Sequence, residues 1–298
     1  MSTATKRRAL PAPLLVFVGV VSVQFGGALA ATLVPEIGAG GAVFLRLVFA
    51  AGILALVARP GLSGYSRSDW VTVIGFGIAL GSMNWAFYGS LSHLPIGVAV
   101  TVEFCGPLLL AAVLSRRAHD FVAVLAAAGG VVLMSNALVL PLAQLSWLGL
   151  GLAALAGGFW AAYIVLSART GAAFAGLDGL AIALVVATIL VTPVGLLSMD
   201  QWSVVHVTKG IGLALLSSLI PYSLELIALR RLSARVVGIL LSTEPAVAAL
   251  AGLLVLGQRL SQLQVMGLFL VVVASGIVLG GSRPAVRSGE QVGAIEGT

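Results

Sequence analysis

Two glutamates stand where a carboxylate is costly. Glu103 and Glu244 each interrupt a long apolar run, and each follows a glycine at the same spacing, Gly97-x5-Glu103 and Gly238-x5-Glu244. At the centre of a bilayer a carboxylate costs about 2.5–3.5 kcal/mol on insertion scales, so it normally faces a cavity or a partner. The chemistry open to such a pair is binding of an ammonium group or a proton. The competing reading is a pair of uncharged packing residues hydrogen-bonded to nearby backbone. Proline follows each acid, Pro107 one turn after Glu103 and Pro245 directly after Glu244. A proline inside a helix frees a carbonyl, so both are candidate helix breaks that would set a cation-binding corner beside the acids; the alternative is a packing kink.

Other polar groups share this setting. Glu225, in Tyr222-Ser223-Leu224-Glu225, lies one to two turns before Arg230 and Arg231. It reads equally well as an interfacial acid paired with those arginines or as a gate or proton relay. Arg46 enters its apolar run about 7–8 Å below one surface, at 1.5 Å per residue. Snorkelling or pairing with Glu36 is the preferred account, and binding a substrate carboxylate is the sharper one. Trp160 with Tyr163, and Trp85 with Tyr88, are spaced to share a helix face. They could cage an ammonium group by cation–π attraction, or serve as packing and belt residues. Asn84 and Gln24 could read a substrate hydroxyl, or simply bond between helices. His93, His119 and His206 are scattered, and Cys105 is the one cysteine. No metal site, disulfide, cofactor site or catalytic constellation is expected from them.

These groups need membrane-crossing helices to hold them. The 298 residues are 60% hydrophobic and 9% charged, against roughly 25% charged in soluble domains. The mean hydropathy is +1.14. Apolar runs of about 20 residues, the length that crosses a bilayer core, recur along the chain. They read as Pro13–Val34, Gly41–Ala58, Trp70–Leu91, Pro95–Leu114, Phe121–Leu140, Trp147–Ser167, Gly179–Leu197, Gly210–Leu229, Val236–Leu256 and Gln264–Leu279. The 37 glycines suit helices that pack closely in lipid. Lys6-Arg7-Arg8, the first apolar run and Ala28-Leu29-Ala30 imitate a cleavable signal, but the run exceeds the usual ~7–15 residues and is expected to be retained.

The basic residues orient the chain. With the N-terminus inside, the inner loops and tails hold Lys6, Arg7, Arg8, Arg59, Arg67, Arg116, Arg117, Arg169, Arg230, Arg231, Arg235, Arg283 and Arg287, and the outer loops only Lys209 and Arg259. Lys and Arg concentrate in cytoplasmic loops, so both termini are expected in the cytoplasm. The pI near 10.2 is then a topology signal, not a nucleic-acid footprint.

An offset of 141 residues relates Gly97 to Gly238, Glu103 to Glu244, Leu91 to Leu232 and Asn84 to Glu225. A unit of five spans repeated once must enter the membrane the opposite way up. The fold class expected is therefore all-α integral membrane, with ten transmembrane helices as two inverted five-helix repeats. The divisions are 1–12, a cytoplasmic tail; 13–141, the first repeat; 142–281, the second; and 282–298, a disordered cytoplasmic tail. No oligomeric state follows.

Several blocks carry a resemblance. They are Val23-Gln24-Phe25-Gly26-Gly27-Ala28, Leu45-Arg46-Leu47, Met83-Asn84-Trp85 with Phe87-Tyr88, and Val102-Glu103-Phe104 with Gly106-Pro107. Ser115-Arg116-Arg117 with Asp120-Phe121-Val122, Pro221-Tyr222-Ser223-Leu224-Glu225 and Glu244-Pro245-Ala246 continue the series. The chain resembles the drug/metabolite transporter superfamily in its EamA branch of paired five-helix repeats. Where many members carry Gly-Glu, this chain has Gly257-Gln258, so that position receives no acidic role. The resemblance is to exporters of small amino acids such as threonine and homoserine. It implies proton-coupled export by alternating access across a bacterial inner membrane, with no cofactor. Export of another metabolite or drug, or a passive channel, are the alternatives; exchange acceleration separates carrier from channel.

Overall fold

The computed structural model describes residues 10–94, 96–115, 118–134, 146–241, 243–244, 247 and 261–281. Pro245, Arg116, Arg117, the expected tail 282–298, the end of the fifth expected span and most of the second half of the ninth lie outside the described residues. The described residues form helices α1 (Ala12–Ala58), α2 (Arg67–Leu91), α3 (Ile96–Leu114), α4 (Ala118–Met134), α5 (Trp147–Ala173) and α6 (Asp178–Gly195). After these come α7 (Val204–Ala214), α8 (Ile220–Leu229), α9 (Ala234–Leu241) and α10 (Gln262–Gly281). A 3₁₀ turn, Leu196–Gln201, extends α6, and a π-helical turn, Leu215–Leu219, fuses α7 and α8 into one rod. Among the described residues, Thr32–Ala58, Arg67–Leu91, Trp147–Ala173, Asp178–Gln201 and Val204–Leu229 are long and apolar enough to cross a membrane. Shorter apolar helices accompany them.

The first two expected spans are not separated by a loop. Helix continues past Val34 and through Pro35, and the whole reversal is made at Gly38, whose φ of 74° and ψ of 165° interrupt α1. That region is open essentially to glycine alone, so one residue replaces a loop. The two limbs then lie together: Leu33 and Ile37 from the first share a buried cluster with Ala42 and Leu45 from the second, and with Leu213 of α7.

The first limb of α1 packs along α7 and α8, where Ser22 Oγ donates to the Leu216 carbonyl at 2.7 Å. The second limb packs on α6, α2 on both α5 and α6, α3 on α5 and α9, and α4 on α10. At the crossing of α3 and α5 the backbones touch. A Cβ at Gly157 would fall 2.5 Å from the Glu103 carbonyl, and one at Gly106 would fall 1.9 Å from the Gly157 carbonyl. Glycine at both positions lets the helices meet at the height of Glu103. Large apolar side chains such as Val113, Trp147, Leu197 and Phe269 point outward, which suits a surface bathed in lipid.

Candidate functional site

Of the two readings open for Pro107, a helix break or a packing kink, the break does not occur. α3 runs continuously from Ile96 to Leu114 with Pro107 inside it. The carbonyl that a proline at 107 leaves without its helical donor is that of residue 103, four positions earlier. Gly157 closes on that same carbonyl. A neighbouring helix thus covers the freed group, and membrane helices tolerate proline on those terms.

Arg46, on the second limb of α1, is only 6% exposed. It neither snorkels nor pairs with Glu36. Glu36 instead accepts from Lys209 at 3.1 Å and 3.2 Å and lies 2.7 Å from His206 Nε2. The cause is register: Glu36 precedes the Gly38 reversal and faces the start of α7, whereas Arg46 lies two turns beyond it, facing α2 and α8. There Arg46 Nη1 donates to the Tyr88 hydroxyl at 3.4 Å and Nη2 to the Tyr222 hydroxyl at 3.5 Å. Its guanidinium carbon stands 5.6 Å from the Tyr88 ring centre. Both hydrogen bonds are long, the Nε atom has no partner, and no carboxylate of a described residue forms an ion pair with it.

Asn84, on the face of α2 one turn before Tyr88, also donates to the Tyr222 hydroxyl, at 3.4 Å, and to the Leu80 carbonyl at 2.8 Å. Tyr222 therefore accepts from both, and neither Tyr88 nor Tyr222 donates its own proton to a described residue.

Glu225, 8% exposed, does not reach Arg230 or Arg231. Arg230 binds the carbonyls of Gly171, Phe174 and Gly176, and Arg231 that of Leu10. Glu225 turns inward, because at position 225 it lies on the α8 face that holds Tyr222, where it accepts the Tyr163 hydroxyl at 3.1 Å. Its other oxygen, Oε1, has no partner among the described residues.

Glu103 is 8% exposed and hydrogen-bonds to no described residue. It lies within electrostatic reach of Glu244 and Arg46, and Glu244, half-buried, lies within reach of Glu225 and Tyr163. The structure thus gathers Arg46, Asn84, Tyr88, Glu103, Tyr163, Tyr222, Glu225 and Glu244 from six stretches of chain around one centre. Aromatic rings frame it: Tyr163 packs on Tyr222 at 5.6 Å and on Phe76 at 5.2 Å.

Three sequence candidates stand apart. Trp160 packs edge-on against Phe104 at 4.7 Å. Trp85 is exposed and, with Tyr88, Ala39 and Val194, lines an open, mostly apolar groove, so no Trp85–Tyr88 cage forms around a carboxylate. Gln24 is half-buried without a hydrogen bond to a described residue. Sequence reasoning missed the buried hydroxyls of Ser167, Thr170 and Ser218, none of which has a partner among the described residues. It also missed the π turn. Its trace was Pro221, which has no N–H to give the Ser217 carbonyl in an α-helical pattern.

Chemically, the centre gathers a guanidinium without an ion pair to a described residue, the phenols of Tyr88, Tyr163 and Tyr222, and the carboxyl groups of Glu103, Glu225 and Glu244. They lie inside a bundle whose longest helices are apolar enough to cross a membrane, the setting of a multi-pass membrane protein. The EamA-like transporter family matches residues 147–280. The threonine/homoserine exporter RhtA of Escherichia coli K12 is 38% identical over 269 residues, covering 88% of each chain. Its Salmonella typhimurium LT2 counterpart is 36% identical over 284 residues, covering 92% of this chain and 94% of its own. A solved crystal structure superposes with a TM-score of 0.71 at 21% identity, over 89% of this chain and 95% of that one. The chain belongs to the EamA-like transporter family. It is a multi-pass membrane transporter and not an enzyme.

Proposed function

We propose that the protein exports a small zwitterionic amino acid, threonine or homoserine, from the cytoplasm across a bacterial inner membrane, in exchange for protons. The observation that carries this reading is Arg46. A buried guanidinium with two long bonds to neutral phenols and a free Nε–H is a poor resting arrangement, because buried charges demand paired, well-formed partners. A substrate carboxylate supplies the missing partner, and the Tyr88 and Tyr222 hydroxyl protons are free to join it. Glu103 and Glu244 receive the ammonium group. Asn84 is placed to read the hydroxyl that threonine and homoserine carry.

Alternating access by two inverted repeats, 13–141 and 142–281, is the movement we assign, with both termini cytoplasmic. The packing supports it. Under a rotation that exchanges the halves, α2 on α5 corresponds to α8 on the first limb of α1, while α4 on α10 and α3 on α9 map onto themselves. The family match begins at 147, close to the boundary set by the 141-residue offset. The exporter names of the relatives support direction and substrate.

The test is counterflow in proteoliposomes with labelled threonine, homoserine and a panel of other amino acids. Trans-accelerated exchange of threonine or homoserine is the expected outcome. Exchange of a chemically different metabolite alone would remove the substrate assignment, and flux without trans-acceleration would indicate a channel.

A further inference from the structure

Helical serines and threonines usually turn their hydroxyl back onto their own helix. Thr188, Thr192 and Thr208 do so, bonding the carbonyl four residues earlier at 2.7–2.9 Å. Ser167 and Thr170 do not. Both are fully buried, and neither hydroxyl has a hydrogen-bond partner among the described residues. They follow Tyr163 by four and seven residues, so the three hydroxyls share one face of α5. That face runs beside α8 and, at Thr170, also meets the start of α6, where a Cβ at Gly179 would fall 2.2 Å from the Thr170 methyl. Tyr163 meets Glu225 at its upper end, and further along, a Cβ at Gly171 would touch Leu226 and Arg230, both at 3.4 Å. The unpartnered hydroxyls therefore occupy the stretch between Glu225 and the C-terminal end of α5, and Glu225 Oε1 adds another unpartnered atom.

We propose that Ser167 and Thr170 hold a short file of water that carries the coupling proton from Glu225 to the cytoplasmic end of α5. This rests on the proton-exchange reading above and names its route. Unsatisfied buried polar groups are normally met by ordered water, and a file of two or three waters needs polar anchors of this kind. In the transfer, the Glu225 carboxyl O–H breaks and its proton passes to the first water. Each water in the file gives up one proton as it gains another, and one proton leaves at the cytoplasmic end. The carboxylate left behind keeps the hydrogen bond from Tyr163 and is then free to draw the next proton or an ammonium group. The charged and titratable neighbours of the path are Tyr163 on α5, Tyr222 and Arg230 on α8, and Glu244. Arg169 is exposed, and Arg230 spends its donors on the carbonyls that end α5, so its charge serves the helix terminus.

The experiment compares two assays on full-length protein in liposomes. One is exchange of labelled threonine at equal pH on both sides, which requires no net proton movement. The other is threonine movement driven by an imposed pH gradient, with an internal pH dye reporting proton flux. In the double variant Ser167→Ala with Thr170→Val, exchange stays within about twofold while gradient-driven movement and its proton flux fall about tenfold or more. Thr170→Ser, which keeps the hydroxyl, behaves as the unmodified protein in both. Equal loss in both assays, or no loss in either, overturns the proposal. An unmodified protein that exchanges threonine but ignores the gradient also overturns it, and leaves the amino-acid reading standing. No threonine or homoserine exchange in the unmodified protein removes the substrate reading instead.

Discussion

Arg230 donates to three backbone carbonyls, those of Gly171, Phe174 and Gly176, at 2.5–2.9 Å. Arg46, buried where Arg230 is exposed, has two bonds of 3.4 Å and 3.5 Å to phenols and an Nε without a partner among the described residues. The first arrangement completes itself: a cation at a helix C-terminus satisfies carbonyls that would otherwise lack donors, and it is favoured by the helix dipole. The second has no ion pair with any described residue. On the function proposed above, the first is a structural use of positive charge and the second a ligand-directed one, and the two arginines differ both in their partners and in their burial.

Arg46→Gln is the strongest way to break this comparison. Removing one partner from a buried charge-assisted contact typically costs about 2–5 kcal/mol in binding, so exchange should fall about 100-fold or more. Thermal stability of the detergent-solubilised protein should hold or rise, because the substitution removes a buried charge that forms no ion pair with a described residue. A large drop in melting temperature with residual exchange would make Arg46 structural, like Arg230.

Glu103→Gln sharpens the other half of the site. The amide keeps the shape but cannot accept a proton or hold a charge, so exchange should fall about tenfold while insertion and melting temperature stay near normal. Near-normal exchange in reconstituted protein would reduce Glu103 to a packing residue beside Gly157.

The residues that form the centre were legible because charge and aromatic spacing inside apolar runs are visible in one dimension. Membrane cost alone singles out Arg46, Glu103, Glu225 and Glu244. Their partners were not legible. The single-residue reversal at Gly38 sends Glu36 to α7 and Arg46 to the core, and nothing in the spacing distinguishes that turn from the expected loop over 35–40. Sequence proximity suggested Arg230 for Glu225, but a helix residue five positions away faces a different side, while Tyr163, 62 residues away, shares its face. Pro107 could be read as a break because its compensation, Gly157, lies on another helix.

Arg230→Ala should have a moderate effect of the opposite kind. Three carbonyls lose their donor, so melting temperature falls by several degrees, about 1–3 kcal/mol in stability. Exchange per folded molecule stays close to normal, because the guanidinium touches no group of the central cluster. Loss of exchange without loss of stability would move Arg230 from the scaffold into the transport path.

Glu36→Gln should do least. Its carboxylate holds Lys209 and His206 at an exposed junction between the α1 reversal and the start of α7. Solvent and salt screen such pairs, and two long side chains must be ordered to form them, so their net contribution is small. The value of the variant is what it says about Arg46. Were Glu36 the counter-charge of Arg46, its loss would strand the guanidinium and impair exchange as severely as Arg46→Gln. With Glu36 committed to α7, exchange should stay within about twofold of normal. Any change should fade as salt rises, measured as threonine counterflow across an ionic-strength series. A severe loss that persists at high salt would show that the Glu36 carboxylate reaches Arg46 during the transport cycle, and the contrast with Arg230 would then have to be drawn between conformations instead of between sites.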